Sequence, residues 1–283
     1  MKKLFALALA LTLSLALLAG CGEAKAPADP NAGKDATSSE PAKDAKLVIL
    51  DSAYADEEYA ICIAKDNADL LEKVNGALAE LKKDGVTDAI VAKYIDEKAH
   101  DYKFQENVPA DAKELVMATN AAFPPYEYRE NDTIVGIDAE MAAAIADKLG
   151  MKLRIEDTEF GSIIGGVQTG KYDMGMAGIT INPDRQQSVA FTDTYAKGVQ
   201  AIIVKEGSPI TSADVLKDKA ATYVVGVQQD TTGDIYSTDD LGDARVMRFN
   251  KGADAVQALV TGKVDCVVID NEPAKSFVES NNK

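Results

Sequence analysis

Apolar and polar positions follow two periods along most of the chain, and each period predicts a different kind of element. Between residues 67 and 83, five apolar residues recur at helical spacing and predict one long amphipathic helix: Leu70, Leu71, Val74, Leu78 and Leu81. Largely apolar runs at 47–50, 59–64 and 115–120 are short, and they predict buried strands.

The same alternation continues along the chain. Helices are predicted at 87–97, 138–149, 162–169, 253–261 and 272–280, and strands at 152–156, 198–204, 222–227 and 265–269. Strands that alternate with helices are typical of an α/β protein. A length of 283 residues with 46% hydrophobic residues suits two modest lobes, each with its own core.

The first 45 residues predict a targeting segment and a tether. Basic Lys2 and Lys3 precede an apolar stretch at 4–18, and Leu18-Ala19-Gly20-Cys21 is typical of a bacterial lipobox. Residues 1–20 are therefore interpreted as a lipoprotein signal peptide with Cys21 as the lipidated residue. A plain signal peptide ahead of a cysteine is the alternative. Residues 21–45, which lack bulky apolar side chains, are predicted to be a disordered tether.

Composition narrows the functional classes. A formal net charge of −16 and a pI near 4.5 argue against a nucleic-acid partner. Cys62 and Cys266 lie in apolar runs and are interpreted as buried thiols, with a disulfide between them as the less favoured alternative. No metal-ligand spacing is present, and the single histidine, His100, lies in a polar connector. The sequence thus predicts no catalytic residue, no cofactor and no metal site.

Residues 171–193 carry the chemistry that points to a ligand. A short apolar strand ends at Gly178, where the backbone can approach a ligand closely, and Thr180 adds a hydroxyl. Asn182 and Pro183 then predict a helix start that carries Arg185 on its first turn. A guanidinium and free helix amides that converge on one point are suited to a carboxylate. An isolated match of this kind would more often be a surface salt bridge.

Three segments of this region together carry a family resemblance. Gly178-Ile179-Thr180, Asp184-Arg185-Gln186 and Phe191-Thr192-Asp193 resemble the ligand-binding core of the polar amino-acid-binding proteins that serve ABC transporters. These are solute-binding proteins of family 3 with the type II periplasmic-binding fold. The resemblance implies an α/β fold of two lobes joined by hinge strands, with one amino acid bound between the lobes.

The resemblance also implies roles for other residues. Phe123 would pack against the aliphatic stem of the ligand, and Phe160 would form the opposite wall. Asn120 would face the ligand side chain. Asp270 would pair with the α-ammonium group, although it could instead cap the following helix.

A polar helix start after the strand at 222–227 adds a second set of candidates. Thr231 and Thr232 suit a further contact to the ligand carboxylate, or the capping of their own helix, and both roles can hold at once. Gln228 could reach the ligand side chain.

The order of the elements differs from that of the family. The elements at 47–97 resemble those that close the family's chain, yet here they precede the family's opening strand at 115–120. This order predicts a circular permutation, with the usual ends joined by a connector at 98–114. Lobe 1 would then comprise residues 56–198, and lobe 2 residues 46–55 and 199–283. A truncated second copy is the alternative.

The expected function is that of a substrate-binding lipoprotein. The resemblance implies a monomer outside the cytoplasm that is lipid-anchored to the membrane, closes its lobes on a polar or basic L-amino acid and delivers it to an ABC permease. Two alternatives remain open. One is an amino-acid sensor or adaptor. The other is a dehydratase acting on cyclohexadienyl acids, for which Glu127 is the nearby candidate acid.

Overall fold

The computed structural model of the chain describes residues 46–283. The predicted signal peptide, the predicted lipidation site at Cys21 and the predicted tether at 21–45 lie outside the described residues. Within the described part, no helix combines the length and the apolar character that a membrane crossing requires.

Strands and helices alternate through the described residues. The strands are β1 (Leu47–Ile49), β2 (Ala55–Tyr59), β3 (Cys62–Ala64), β4 (Glu114–Thr119), β5 (Ala122–Phe123), β6 (Glu127–Glu130), β7 (Thr133–Val135), β8 (Lys152–Asp157), β9 (Met174–Gly175), β10 (Val189–Phe191), β11 (Ala196–Lys205), β12 (Val225–Gln228), β13 (Val246–Phe249) and β14 (Cys266–Asp270). The helices are α1 (Ala68–Lys83), α2 (Val86–Ile95), α3 (Ile137–Leu149), α4 (Phe160–Gln168), α5 (Pro183–Ser188), α6 (Ala213–Lys217), α7 (Thr232–Leu241), α8 (Gly252–Val260) and α9 (Asn271–Asn282).

Two central sheets divide these elements into two lobes. We define lobe 1 by the sheet of order β10-β3-β9-β4-β8, the small sheet β5-β6-β7 and helices α1 to α5. We define lobe 2 by the sheet of order β1-β11-β14-β12-β13, with β2 also paired to β11, and helices α6 to α9. Both sheets contain parallel neighbours, β4 with β8 and β9 in lobe 1 and β12 with β13 and β14 in lobe 2. The carboxyl ends of parallel strands form one edge of each sheet, which is where α/β folds place ligands.

The chain passes between the lobes along two adjacent strands. β2 leads directly into β3, and β10 leads into β11, while β2 and β11 pair in antiparallel register from Ala196 opposite Tyr59 to Gln200 opposite Ala55. Backbone and side-chain hydrogen bonds join the two crossings, from Tyr195 N to Tyr59 O (3.0 Å) and from Ile61 N to Thr192 Oγ1 (3.1 Å).

Residues 46–97 are part of the body of both lobes. β1 forms the edge of the lobe 2 sheet beside β11, and β3 lies inside the lobe 1 sheet between β9 and β10. Helix α1 packs on α3 through buried Leu78 and Leu81, and α2 contributes buried Ile90. The lobe 1 core therefore depends on side chains that precede residue 98.

The polar connector is held against α3 although it forms neither helix nor strand. Gln105 Nε2 donates to Asp147 Oδ1 (2.7 Å), and Gln105 Oε1 accepts from Leu153 N (2.9 Å). The buried ring of His100 lies 2.9 Å from Glu140 Oε2 through its Nε2 atom. Side chains of α3 thus make hydrogen bonds to polar groups of the connector, which has no helix or sheet in which to pair them.

Some elements differ from the sequence prediction. Residues 55–58 lie outside the strands predicted at 47–50 and 59–64, but Ala55–Tyr59 is a strand because it pairs with β11 and alternates exposed residues with buried Glu57 and Tyr59. The sequence also gave no indication of α6 or β13, which are short and partly polar. Packing against a sheet stabilises such short elements despite their weak local signal.

We expect Leu81→Ala to lower the free energy of unfolding by roughly 2–5 kcal/mol, because it leaves a cavity between α1 and α3. Urea denaturation measures the change. Glu72→Ala, on the exposed face of the same helix, is the control and should change stability little. Equal effects of the two changes would contradict the packing of α1 into the core.

Candidate functional site

Residues from both lobes meet at the carboxyl ends of their strands. Asn120 follows β4, Gln228 ends β12 and Asp270 ends β14. Nine of the ten predicted ligand-binding residues line one cavity between the lobes: Asn120, Phe123, Phe160, Gly178, Arg185, Gln228, Thr231, Thr232 and Asp270. The tenth, Thr180, lines a neighbouring groove with Glu57 and Tyr236, and its carbonyl oxygen accepts from Arg185.

The cavity is narrow. It leaves about 10 Å³ open to the centre of a water-sized sphere, which is room for about one water molecule. Two hydrogen bonds cross it between the lobes, from Gln228 Nε2 to Asn120 Oδ1 (2.9 Å) and from Arg185 Nη2 to Asp230 O (3.1 Å). The lobes are therefore in direct contact at the cavity.

Arg185 is the buried cation of the site, with 7% of its surface exposed. The Asn182 side chain accepts from Arg185 N (2.8 Å) and Pro183 occupies the first turn, so local sequence fixes the start of α5 as predicted. The guanidinium donates to Thr180 O (2.8 Å) and stands 5.3 Å from the centre of the Phe160 ring. Burial lowers the pKa of Arg185 from its ordinary value, and nearby carboxylates oppose that change.

Gly178 is required by two features of its position. Its φ of +53° lies in the left-handed region, and a Cβ atom built there would meet Phe123 Cε1 at 3.1 Å. Its amide donates to Asp138 Oδ2 (2.9 Å). Glycine thus allows the Phe123 ring to lie directly against the backbone at the cavity wall.

Asp270 is the buried acid of the cavity. It occupies the N-cap position of α9, but its side chain makes no capping hydrogen bond and instead accepts from the Tyr59 hydroxyl. Burial, followed by the neighbouring Glu57 carboxyl group, raises the pKa of Asp270 well above its usual range. The backbone of Asp270 thus lies where a helix cap would, as the alternative interpretation predicted. Its carboxyl group, however, is directed toward the crossing strand β2.

Polar side chains at the start of α7 stabilise the helix and also line the cavity. Thr231 caps the helix, because its Oγ1 accepts from Asp234 N (3.4 Å) and donates to Gln228 O (2.7 Å). Thr232 is buried, and Gln200 Nε2 lies 3.4 Å from its Oγ1. Thr231 therefore caps its own helix, as the alternative interpretation predicted, and it also lines the cavity.

Sequence reasoning named Glu127 as a candidate acid but missed that it lies beside a second buried carboxyl group, that of Asp138. Glu127 lines the cavity, and Asp138 accepts from Gly178 N and from the Tyr195 hydroxyl, both at 2.9 Å. Burial raises the pKa of Asp138 to about 7, and burial together with Asp138 raises that of Glu127 well above its usual range.

The signal for this pair was ambiguous in sequence. The helix predicted at 138–149 begins with Asp138, a residue type that favours the N-cap position, but Gly136 occupies that position and Asp138 is buried in the core, so a capping role for Asp138 is wrong. A carboxylate near a helix start indicates a cap unless its buried partner is known. Among residues 46–283 no cluster of three metal-binding side chains is present.

Comparison with known proteins matches this chain to one protein family. The sequence model described as bacterial extracellular solute-binding proteins, family 3, matches residues 115–265. The arginine-binding extracellular protein ArtP of Bacillus subtilis (strain 168) is 33% identical over 170 residues, which cover 60% of this chain and 66% of ArtP. The match thus spans slightly less than two thirds of that relative.

Solved structures of amino-acid-binding proteins are also similar to this chain. The arginine-, lysine-, histidine-binding protein ArtJ from Geobacillus stearothermophilus matches with a TM-score of 0.56 and 34% identity, over 60% of this chain and 72% of ArtJ. The ancestral amino acid-binding protein AncCDT-1, a precursor of cyclohexadienyl dehydratase, matches with a TM-score of 0.54 and 32% identity, over 59% and 74%.

We expect Asp138→Asn to remove a pH dependence from stability. With a pKa of about 7 when folded and about 3.9 when unfolded, Asp138 binds more protons in the folded state across this window, so its contribution is lost as the pH rises. The wild type should therefore lose roughly 3 kcal/mol more than the variant between about pH 4 and pH 7. Urea denaturation across this range checks the difference.

The control is Asp132→Asn, at an exposed carboxylate in the turn between β6 and β7. Its stability should follow the wild-type pH curve. A parallel curve for Asp138→Asn would contradict the raised pKa of Asp138.

Proposed function

Because the chain belongs to the bacterial extracellular solute-binding proteins of family 3, we propose that it captures an amino acid between its lobes and delivers it to an ABC importer. Its α/β fold matches the type II periplasmic-binding structures. One observation carries the proposal: buried Arg185 and buried Asp270 line the same cavity. A zwitterion carries the two opposite charges that such a cavity can pair.

The carboxylate end of the ligand is assigned to Arg185. Its guanidinium has five N–H donors, and the two hydrogen bonds to Thr180 O and Asp230 O leave others for a ligand. The first turn of α7 supports this assignment, since Thr231 and Thr232 line the same cavity at a helix N-terminus that favours an anion. Gly178 lies at the same wall, and Thr180 acts through its carbonyl oxygen.

The ammonium end is assigned to Asp270. The Tyr59 hydroxyl donates to its Oδ1 and holds the carboxylate in place, while a second carboxyl, Glu57, adds negative potential nearby. An ammonium group would be paired there with a buried anion. Such pairing is what makes a buried carboxylate stable when it is ionised.

The side chain of the ligand is assigned to the space between the rings of Phe123 and Phe160. Asn120 and Gln228 lie beside this space and bond to each other, so a ligand that reached them would exchange that hydrogen bond for its own. Both offer acceptors as well as donors, and Glu127 adds a carboxyl group. We therefore favour a basic amino acid, in line with the arginine-binding relatives ArtP and ArtJ.

Lobe opening is needed for this function. A cavity with room for about one water molecule admits no amino acid until the lobes separate. The paired crossings β2 and β11 are the places where a hinge rotation would separate them. A ligand that contacts Arg185 in lobe 1 and Asp270 in lobe 2 would stabilise the closed state by its differential contacts.

The cellular setting follows from the family and from the N-terminal residues. We propose a monomer outside the cytoplasm, anchored to a membrane through lipid on Cys21, with an ABC permease as its partner. We further propose that the chain is circularly permuted relative to its family. The position of β3 inside the lobe 1 sheet and of β1 at the edge of the lobe 2 sheet supports this, because residues 46–97 complete both lobes.

A dehydratase is the second candidate. The raised pKa of Glu127 would let it act as a general acid, and AncCDT-1 is described as a precursor of such an enzyme. Turnover of a cyclohexadienyl acid by the purified protein would favour this candidate over a binding protein. A sensor or adaptor would share the binding site and differ only in its protein partner.

We expect a thermal-shift screen with the twenty amino acids to show its largest stabilisation with a basic amino acid, because a ligand that binds only the folded state raises the midpoint of unfolding. Arginine should rank above glutamine. A screen in which no amino acid raises the midpoint would refute the proposed function.

We expect Arg185→Ala to weaken arginine binding by roughly 2–5 kcal/mol, since the ligand carboxylate would be buried without its cation. Isothermal titration calorimetry measures the loss. Arg154→Ala, which removes an exposed arginine from the same lobe, is the matched control and should bind as the wild type does. Unchanged affinity in Arg185→Ala would refute the site.

A further inference from the structure

Glu127 and Asp138 form a carboxyl pair at the wall of the cavity. Both are buried, with 1% and 0% of their surfaces exposed, and each carboxyl group alters the pKa of the other. Among residues 46–283 no N–H or hydroxyl group donates to Glu127 Oε2 or to Asp138 Oδ1. Ionisation of two neighbouring buried carboxyl groups is unfavourable, so the pair retains a proton.

The contacts of Asp138 decide where this proton lies. Asp138 Oδ2 already accepts from Gly178 N and from the Tyr195 hydroxyl, which favours the ionised form of Asp138. The proton of the pair then lies on Glu127, which also lines the cavity beside Asn120 and Gln228. The cavity wall therefore carries a neutral carboxyl group, that of Glu127, which becomes an anion when it loses its proton.

We propose that Glu127 is a specificity-determining residue of the cavity, which favours a cationic over a neutral ligand side chain because the cation expels the proton shared with Asp138. The inference rests on the proposed function and refines it. In this step the guanidinium approaches Glu127, the carboxyl O–H bond breaks, and the proton passes to solvent. The new anion stays paired with the guanidinium.

The surroundings of the pair support this exchange. The groups that act on the pair include the carboxyl groups of Asp157 and Asp270 and the hydroxyls of Tyr126 and Tyr195, and the Arg185 guanidinium lines the same cavity. Asp157 and Asp270 raise the pKa of Glu127 further, which opposes the loss of its proton when no cation is bound. Burial raises the pKa of Asp138 to about 7 and that of Glu127 well above its usual range, so Glu127 is the member of the pair that keeps its proton at neutral pH.

Binding of arginine and of citrulline at two pH values tests the proposal. The two ligands share both backbone charges and nearly the same shape, but citrulline has no cationic side chain. Any pH dependence that comes from Asp270 and Glu57 affects both ligands and cancels in the ratio of their affinities. Release of one proton changes an affinity by up to about tenfold per pH unit.

We expect the ratio of arginine to citrulline affinity, measured by calorimetry, to rise at least about tenfold from about pH 6 to about pH 8. In Glu127→Gln, which keeps the shape but has no proton to lose, the ratio should stay constant. Glu130→Gln, at an exposed carboxylate on the same strand, is the control and should keep the wild-type rise. A constant ratio in the wild type, or an equal rise in Glu127→Gln, would overturn the proposal.

A second measurement needs no variant. Calorimetry of the wild type in two buffers of different ionisation enthalpy counts the protons released on binding, and arginine should release more than citrulline. Equal proton counts would overturn the role of Glu127 while leaving amino-acid binding intact. If the wild type bound neither ligand at either pH, the proposed function would fall as well.

Discussion

Burial of opposite charges in one narrow cavity is the constraint on which the structure depends. Arg185 and Asp270 are both withdrawn from water, and because a buried charge without a partner is costly, burial lowers the pKa of Arg185 and raises that of Asp270. In the closed structure Arg185 uses backbone carbonyls of both lobes, and Asp270 uses the Tyr59 hydroxyl. These contacts satisfy the charges only partly, since neither meets a full opposite charge at hydrogen-bonding distance. A zwitterion between the lobes would supply both charges at once, which links binding directly to lobe contact.

The crossing strands connect this constraint to the rest of the fold. β2 carries Tyr59 and Glu57 on its buried face and pairs with β11, so the strand through which the lobes are joined also holds the acid of the cavity. Tyr195, at the start of the other crossing, bonds to Asp138, which in turn holds Gly178. A rotation at the crossings would therefore move the groups that contact a ligand, because the same side chains belong to both.

The carboxyl pairs give the cavity a chemistry beyond simple charge pairing. Glu127 and Asp138 are neighbouring buried acids whose joint ionisation is unfavourable, and the Glu57 carboxyl group contributes to the raised pKa of Asp270. Protons bound by such pairs belong to the pair rather than to one residue. Proton binding and ligand binding then become linked, and the ligand's charge decides how strongly.

The sequence by itself predicted the α/β class, most long elements and the helix start that carries Arg185, because strand runs and helix caps are strong local signals, whereas Asn120, Phe123 and Phe160 were named through the family resemblance. Tertiary structure alone decided the rest. It made Ala55–Tyr59 a strand, turned Asp138 from a helix cap into a core acid, and placed Glu127 beside it. The physical reason is that local patterns specify backbone conformation and the buried face, whereas the partner of a buried polar side chain is set by residues distant in sequence.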